Sequence, residues 1–313
     1  LDLPAPLKLL SPEAKTEPVE INGLKYLRLE FPLKYNKSTG RFISPTLFLG
    51  AGDGKVSAPA RIYARCEGQD QFKTELPVKI VELPPIKPFE RLHVSLSWMG
   101  ERNGMDWPDF FTNWRRLGFN TVSSFPRFWK AGSDGPNKAY LDAARKAGFK
   151  IIMNDSAFHE MMRGHKADSE IFCQIPGETN KILCPSYRGP YYEKEMERVA
   201  RCVREGKPDY VFYDIECWHH AAAGASKCTR CQEALQKSGK SMNEFLFDCG
   251  TETMRDLDAA VKTGAKQAGI PVPVQGSYNR HALKPLYGIE DFQRIYPAYI
   301  NMAQPSLYVA GRA

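Results

Sequence analysis

Pro136-Asn137-Lys138-Ala139-Tyr140-Leu141-Asp142-Ala143-Ala144-Arg145-Lys146-Ala147-Gly148-Phe149-Lys150-Ile151-Ile152-Met153 is the stretch whose reading decides the fold. Pro136 opens a helix, since a proline in the first turn forfeits no helical hydrogen bond. Tyr140, Leu141 and Ala144 fall on one face at helical spacing, and Gly148 closes the helix. The apolar run Phe149 to Met153 then reads as a strand buried on both faces. The same cadence precedes it, where Asp106 is expected to cap a helix carrying Trp107, Phe110, Phe111, Trp114 and Leu117. Gly118 ends that helix, and Phe119 to Val122 begins a strand. It returns at Ala268-Gly269-Ile270, followed by Pro271-Val272-Pro273-Val274.

Adding His93-Val94-Ser95-Leu96, Tyr210-Val211-Phe212-Tyr213 and Tyr299-Ile300-Asn301-Met302 gives six strands alternating with helices. That pattern specifies a parallel sheet covered by helices. Both an open doubly wound sheet and a barrel satisfy it. No glycine-rich phosphate loop follows the first strand, and polar or aromatic residues stand at nearly every strand end, so the expected fold is α/β, a (β/α)8 TIM-type barrel. Two further units would complete eight, supplied either by a segment beyond residue 313 or by strands within the chain that the pattern does not reveal.

Before the barrel, Tyr26 to Phe31, Arg61 to Cys66 and Leu76 to Val81 read as strands, with turns at Asn22-Gly23 and Gly52 to Gly54. The expected organisation is a small β-sandwich over residues 1–85 and a catalytic barrel over 86–313. Pro84-Pro85-Ile86-Lys87-Pro88 forms a stiff linker between them. A chain of 313 residues exceeds what one core usually organises, which agrees with two parts.

The net charge is +7, but Lys and Arg are scattered and interrupted by Asp and Glu, so nucleic acid is not an expected partner. No apolar run approaches the roughly 18 residues of a membrane span, and membrane insertion is not expected. Leu1 to Leu10 lack the parts of a signal peptide, so export is absent or its signal has been removed. The compartment stays open, with a secreted or periplasmic setting the working expectation.

In barrels of this kind the loops after each strand form the reactive face. Here those positions carry Trp98, Met99 and Glu101, then Phe125 and Arg127, then Asn154, Asp155 and His159. Asp214, Glu216 and Trp218 follow the fourth strand, Gln275, Tyr278 and Asn279 the fifth, and Gln304 and Tyr308 the sixth. Carboxylates, amides and rings at one mouth suit a sugar, because rings stack on pyranose faces while polar groups bind hydroxyls. Strand-end caps are the plainer reading of any one of these residues.

Asp209-Tyr210-Val211-Phe212-Tyr213-Asp214-Ile215-Glu216-Cys217-Trp218 is the sharpest signal. Period two puts Phe212, Asp214 and Glu216 on one face, directed into the barrel. Two acids held close cannot ionise equally, so one keeps a proton for a leaving oxygen, as glycoside hydrolysis requires. A solvated turn or helix cap is the alternative. The segment resembles the family 18 chitinases and their relatives, whose fourth strand carries Asp-Gly-x-Asp-x-Asp-x-Glu. Asp209, Asp214 and Glu216 match that pattern, while Tyr210 replaces its Gly and Phe212 its middle Asp. The resemblance implies that Glu216 is the general acid and that Asp214 orients the substrate's acetamide, which attacks the anomeric carbon. It also implies Met-x-Tyr-Asp on the sixth strand. Here Met302-Ala303 is followed by Gln304-Pro305, leaving Tyr308 as the nearby tyrosine. The likeness is therefore to the wider group of N-acetylhexosaminidase-like barrels, in which a β-sandwich often precedes the barrel.

Cys228-Thr229-Arg230-Cys231 offers half of a zinc site, with Cys217, His219 or His220 as further ligands. No second pair of matching spacing exists, so the expectation is no metal and no cofactor. Several hydrolase-like barrels resemble this arrangement, and there the motif looks structural. Cys173 and Cys184 flank a turn and could form a loop disulfide, and Arg188 is placed near the mouth or in a helix lead-in.

The expected function is a retaining, substrate-assisted glycoside hydrolase acting on an N-acetylhexosamine-containing glycan. Its catalytic residues are Asp214 and Glu216. Trp98, Glu101, Arg127, Asn154, Asp155, Trp218, Tyr278, Asn279, Gln304 and Tyr308 are the expected glycan-binding residues. A glycosidase with a carboxylate nucleophile and a non-catalytic carbohydrate-binding barrel are its rivals.

Overall fold

The computed structural model describes the chain apart from residues 44, 57, 67–68, 85, 88, 97–100, 127–128, 130–136, 215–220, 279–291, 300–301 and 305–313. Side chains 66, 69–71, 102–103, 278, 292–293, 296–297 and 302–304 are likewise left out. The chain divides into two compact units, Leu1–Arg91 with Arg102–Phe119, and Leu92–Glu101 with Asn120–Ala313.

The first unit is antiparallel β-structure, with strands β1 (Asp2–Pro4), β2 (Leu7–Ser11), β3 (Lys15–Ile21), β4 (Leu24–Glu30), β5 (Lys34–Asn36), β6 (Arg41–Ile43), β7 (Phe48–Ala51), β8 (Ala60–Cys66) and β9 (Gln69–Leu76). Five of them form one sheet in the order β3-β4-β1-β8-β9. Between β3 and β4, Asn22 and Gly23 both take positive φ, 52° and 74°, the geometry that a two-residue hairpin turn needs. Pro18 has no N–H to give, and β3 lies at the sheet edge, where that loss is tolerated. Leu7 and Leu9 of the β2–β7 ribbon pack on Leu3, Leu29 and Ala60. The unit is thus a five-stranded sheet with the β2–β7 ribbon packed on it and a separate, exposed β5–β6 ribbon. The strand expected at Leu76 to Val81 ends at Leu76, and Val78 and Ile80 continue as irregular chain that still packs on the small core.

Helices α1 (Glu101–Asp106) and α2 (Phe110–Arg116) follow. The N-cap of α2 is Asp109, three residues later than expected, with a left-handed φ of 55°. Phe110 and Trp114 are buried, and Trp114 stacks on Phe119 with ring centroids 3.9 Å apart.

In the second unit, β10 (Thr121–Ser124), α3 (Lys138–Lys146), β11 (Lys150–Asp155), α4 (Ala157–Met162), α5 (Pro190–Gly206), β12 (Tyr210–Tyr213), α6 (Ala221–Ala225), α7 (Thr229–Ser238), α8 (Met242–Ala268), β13 (Val274–Tyr278), α9 (Phe292–Tyr299) and β14 (Met302–Gln304) alternate as read from the sequence. The sheet runs β10-β11-β12-β13-β14, parallel and in chain order. A doubly wound sheet reverses its strand order at a switch point, and this sheet has no reversal among the described residues.

Three expected strands are corrected. Pro271 and Pro273 cannot donate to a ladder, so β13 starts at Val274 and runs on to Tyr278. His93 to Leu96 forms no regular strand among the described residues, although it runs beside β10, where the Val94 carbonyl accepts from Thr121 N at 3.2 Å and the Leu96 carbonyl from Ser123 Oγ at 3.0 Å. The Asn120 side chain takes further backbone groups. Val94 N donates to Asn120 Oδ1 at 2.8 Å, and Asn120 Nδ2 donates to the Leu92 carbonyl at 2.8 Å. Tyr299, expected in the last strand, ends α9.

Helix α8 opens on a capping box, in which Ser241 accepts from Glu244 N while the Glu244 carboxylate takes the Ser241 N–H. It packs along α5, and Gly264 is what lets the two backbones meet. A Cβ there would stand 2.2 Å from the Ala200 carbonyl oxygen and 2.9 Å from Val203 Cβ. Alanine is the better helix former by about 1 kcal/mol, yet Gly264→Ala is expected to destabilise by about 1–3 kcal/mol, because the helices must separate. Urea denaturation checks this, and an unchanged or raised midpoint would refute it.

Candidate functional site

Alternation along the parallel strands sorts the strand-end residues between two faces. On one face Met153, Val211 and Tyr213 join the core beneath the helices. On the other, the register aligns Ile152 with Tyr210, Asn154 with Phe212, and Phe212 with Gly276. Asp214 follows Tyr213 and continues the face of Phe212, away from the helices.

The Asp214 backbone N donates to the Asp155 carbonyl at 2.8 Å, extending the β11–β12 pairing by one residue and fixing the carboxyl at the strand end. Its side chain is 15% exposed. Oδ2 meets Ser156 Oγ at 3.5 Å, and Oδ1 lies 3.9 Å from His159 Nε2 on α4. Oδ1 is buried with no hydrogen-bond donor among the described residues. A buried acceptor without a donor is costly unless something supplies one. Ser156 meets the carboxylate, not the imidazole, so these three do not form a serine nucleophile relay.

Asp155 belongs to the opposite face. It is 1% exposed, and Oδ1 accepts from Arg198 Nη2 on α5 at 2.7 Å. Arg198 also grips Glu195 through two bonds, at 2.8 and 3.0 Å. Burial pushes the Glu195 carboxyl up to about 7, against the pull of Arg198. Gln275 likewise turns to the helices, accepting from Tyr213 Oη at 2.5 Å and donating to Asp258 at 2.7 Å. Asp155 and Gln275 therefore brace the sheet against α5 and α8, where the sequence reading had put them at the mouth.

Glu101 lies beside the end of β10. Its carboxylate accepts a short hydrogen bond from Ser124 Oγ, and further ones from Trp129 Nε1 at 3.3 Å and from the Asn137 backbone N, at the cap of α3, at 3.2 Å. Burial raises its pKa above the usual carboxylate range, and those three bonds oppose the shift. Arg188 is committed elsewhere too. It donates to the Pro185 and Tyr187 carbonyls at 2.8 and 2.9 Å and lies 4.7 Å over the Tyr192 ring, which makes it part of the lead-in to α5.

Asn154 sits on the face of Asp214 and is nearly buried. Tyr278 and Gln304 end β13 and β14 as register partners. Trp98, Arg127, Glu216, Trp218, Asn279 and Tyr308 lie outside the described residues. Ser156 and the Glu195–Arg198 pair were not singled out in the sequence. A signal existed for Glu195, which stands on the apolar stripe of α5 between Tyr192 and Val199, where a carboxylate needs a buried partner.

The cysteines overturn one premise of the sequence reading. Cys173 and Cys184 are both free thiols, so no loop disulfide joins them, and they supply the second pair that Cys228 and Cys231 lacked by spacing.

No family model and no curated protein matches the chain. Among solved structures it is similar to a sugar phosphate isomerase/epimerase from Parabacteroides distasonis, at 12% identity and a TM-score of 0.31, over 63% of this chain and 60% of that one. It is also similar to a cyclomaltodextrinase, at 11% identity and a TM-score of 0.29, over 85% of this chain and 52% of that one. The chain thus spans less than two thirds of the length of either.

Proposed function

We propose that the second unit is part of a (β/α)8 barrel and that the chain is a glycoside hydrolase, retaining and substrate-assisted, acting on an N-acetylhexosamine-containing glycan. The observation that carries this reading is the place of Asp214. Its carboxylate stands at the end of a parallel strand, on the face turned from α5 and α8, with one oxygen lacking a hydrogen-bond donor among the described residues. An acetamide N–H is the kind of donor that would complete it. Glu216, two residues on, is the acid that protonates the leaving oxygen and later activates water. Asn154 on the same face, with Tyr278 and Gln304 on the next strands, would meet sugar hydroxyls. Such a pair of carboxyls, one orienting and one exchanging a proton, matches the residues that carry the chitinase-like resemblance.

Aryl glycosides with and without a 2-acetamido group test the assignment. Turnover confined to the 2-acetamido series is the expected result. Turnover of plain glucosides or galactosides at the same rate would replace it with a glycosidase that uses a carboxylate nucleophile. Glycan binding without any turnover would leave a carbohydrate-binding barrel.

A further inference from the structure

Two loops of the second unit, distant in sequence, bring four buried cysteines together. Cys173 and Cys184 flank the antiparallel bridge between Phe172 and Leu183 in the connection from β11 to α5. Cys173 N donates to the Ile182 carbonyl at 2.8 Å, and Cys184 N to that of Ile171 at 3.0 Å, so the pair is held like the two legs of a hairpin. Cys228 is the N-cap of α7, and Cys231 stands in its first turn, in the connection that follows β12.

The sulfur atoms of Cys173, Cys184 and Cys228 all lie within 4.8 Å of one another. Cys184 Sγ is 3.9 Å from Cys228 Sγ and 3.5 Å from Cys231 Sγ. A metal with four sulfur arms of about 2.3 Å forms a tetrahedron with edges of about 3.8 Å, close to the separations of Cys184 Sγ from Cys228 and Cys231. Cys231 lies outside the mutual group of three, and a rotation about its Cα–Cβ bond is the adjustment that binding would require.

The surroundings are arranged for thiolates. Gln174 N donates to Cys228 Sγ at 3.2 Å, and Ser186 Oγ to Cys231 Sγ at 3.1 Å. The N-terminus of α7 directs positive potential at Cys228. Arg230, inside the Cys-x-x-Cys, lies 5.2 Å over the Tyr187 ring and keeps Nη1 buried with no hydrogen-bond partner among the described residues. Space is reserved as well. A Cβ on Gly224 would come within 2.9 Å of Cys173 Sγ and 2.6 Å of Ile182. Cys202 and Cys249 are also buried, but neither belongs to such a cluster among the described residues.

We propose that Cys173, Cys184, Cys228 and Cys231 form a closed tetrathiolate site for one zinc ion. Four protein ligands leave no position for substrate or water, so the ion is structural. It staples the loop after β11 to the loop after β12, the two connections that begin beside Asp155 and Asp214. Binding releases the thiol protons and is therefore weakened by acid. The site does not depend on the glycosidase reading.

The test uses the full chain, purified under reductant without chelator and dialysed against zinc sulfate. Elemental analysis is expected to give about one zinc per chain, and a Cys202→Ser, Cys249→Ser control is expected to retain it. The pairs Cys173→Ser, Cys184→Ser and Cys228→Ser, Cys231→Ser should each lose it. Because these pairs could fail to fold, the unaltered chain is also loaded with cobalt, where an intense sulfur-to-cobalt charge-transfer band with tetrahedral ligand-field bands is expected. Substoichiometric zinc with no such band overturns the proposal. So does a disulfide between any two of the four in protein kept reduced.

Discussion

Arg198→Met is expected to lower the stability of the chain by about 3–5 kcal/mol, the usual cost of removing one partner from a buried ion pair. The variant keeps most of the aliphatic volume, so the loss reports charge and hydrogen bonds more than packing. Arg198 is 18% exposed at its side chain and donates to Asp155 and Glu195, which are 1% and 5% exposed. Without it two carboxylates remain buried with nothing to balance them. The deficit should also depend on pH. In the parent chain burial has already raised the Glu195 pKa to about 7, so the stability its protonated form contributes is complete below the unfolded value and lost as pH rises through 7. Removing Arg198 removes the group that holds this pKa down, so the variant's native state keeps the Glu195 proton to higher pH than the parent's. The gap between the two proteins must therefore widen as pH rises above about 7, while below it Glu195 leaves the gap unchanged. Guanidinium titrations at several pH values check both parts. A loss under about 1 kcal/mol, or one independent of pH, would mean that the triad is solvated and not a buried brace.

That triad also marks where the sequence could and could not be read. The cadence of helix, glycine stop and strand was legible three times, because Gly118, Gly148 and Gly269 each take a positive φ, at 89°, 74° and 64°, that other residues resist. That Phe212 and Asp214 share a face was legible from period two alone. The same rule, applied to β11, forbids sending both Asn154 and Asp155 to the mouth, and the structure turns Asp155 to Arg198. What escaped the sequence was set by contacts distant along the chain. No local pattern states that the Asn120 side chain will bond the Val94 N–H and the Leu92 carbonyl. Nor does spacing reveal that Cys184 and Cys231, separated by 47 positions, will meet. A bridged loop and a helix N-terminus bring them together, and ligand spacing rules describe only pairs that are close in sequence.

The catalytic assignment makes a sharper demand, because Glu216 and Asp214 are given different tasks. If Glu216 donates the leaving-group proton, Glu216→Gln should lose about 10² to 10⁴ in kcat/KM on natural glycans, the contribution typical of general acid catalysis. Substrates with acidic leaving groups need that proton less, so aryl glycosides of low leaving-group pKa should be largely spared in the first step. The later activation of water would still suffer, and a burst of released phenol followed by slow turnover is the expected trace. Asp214→Asn acts elsewhere. A carboxylate that holds an acetamide N–H stabilises the cyclised intermediate whatever group departs, so this variant should weaken turnover of 2-acetamido substrates by a factor independent of leaving-group pKa. A thiazoline that mimics the cyclised intermediate should inhibit the parent chain and lose affinity for the Asp214→Asn variant. A plot of log kcat/KM against leaving-group pKa therefore separates the two residues, steeper than the parent for Glu216→Gln and parallel to it for Asp214→Asn. Parallel lines for both variants, with no inhibition by the thiazoline, would remove substrate assistance and leave a glycosidase in which an enzyme carboxylate attacks the sugar.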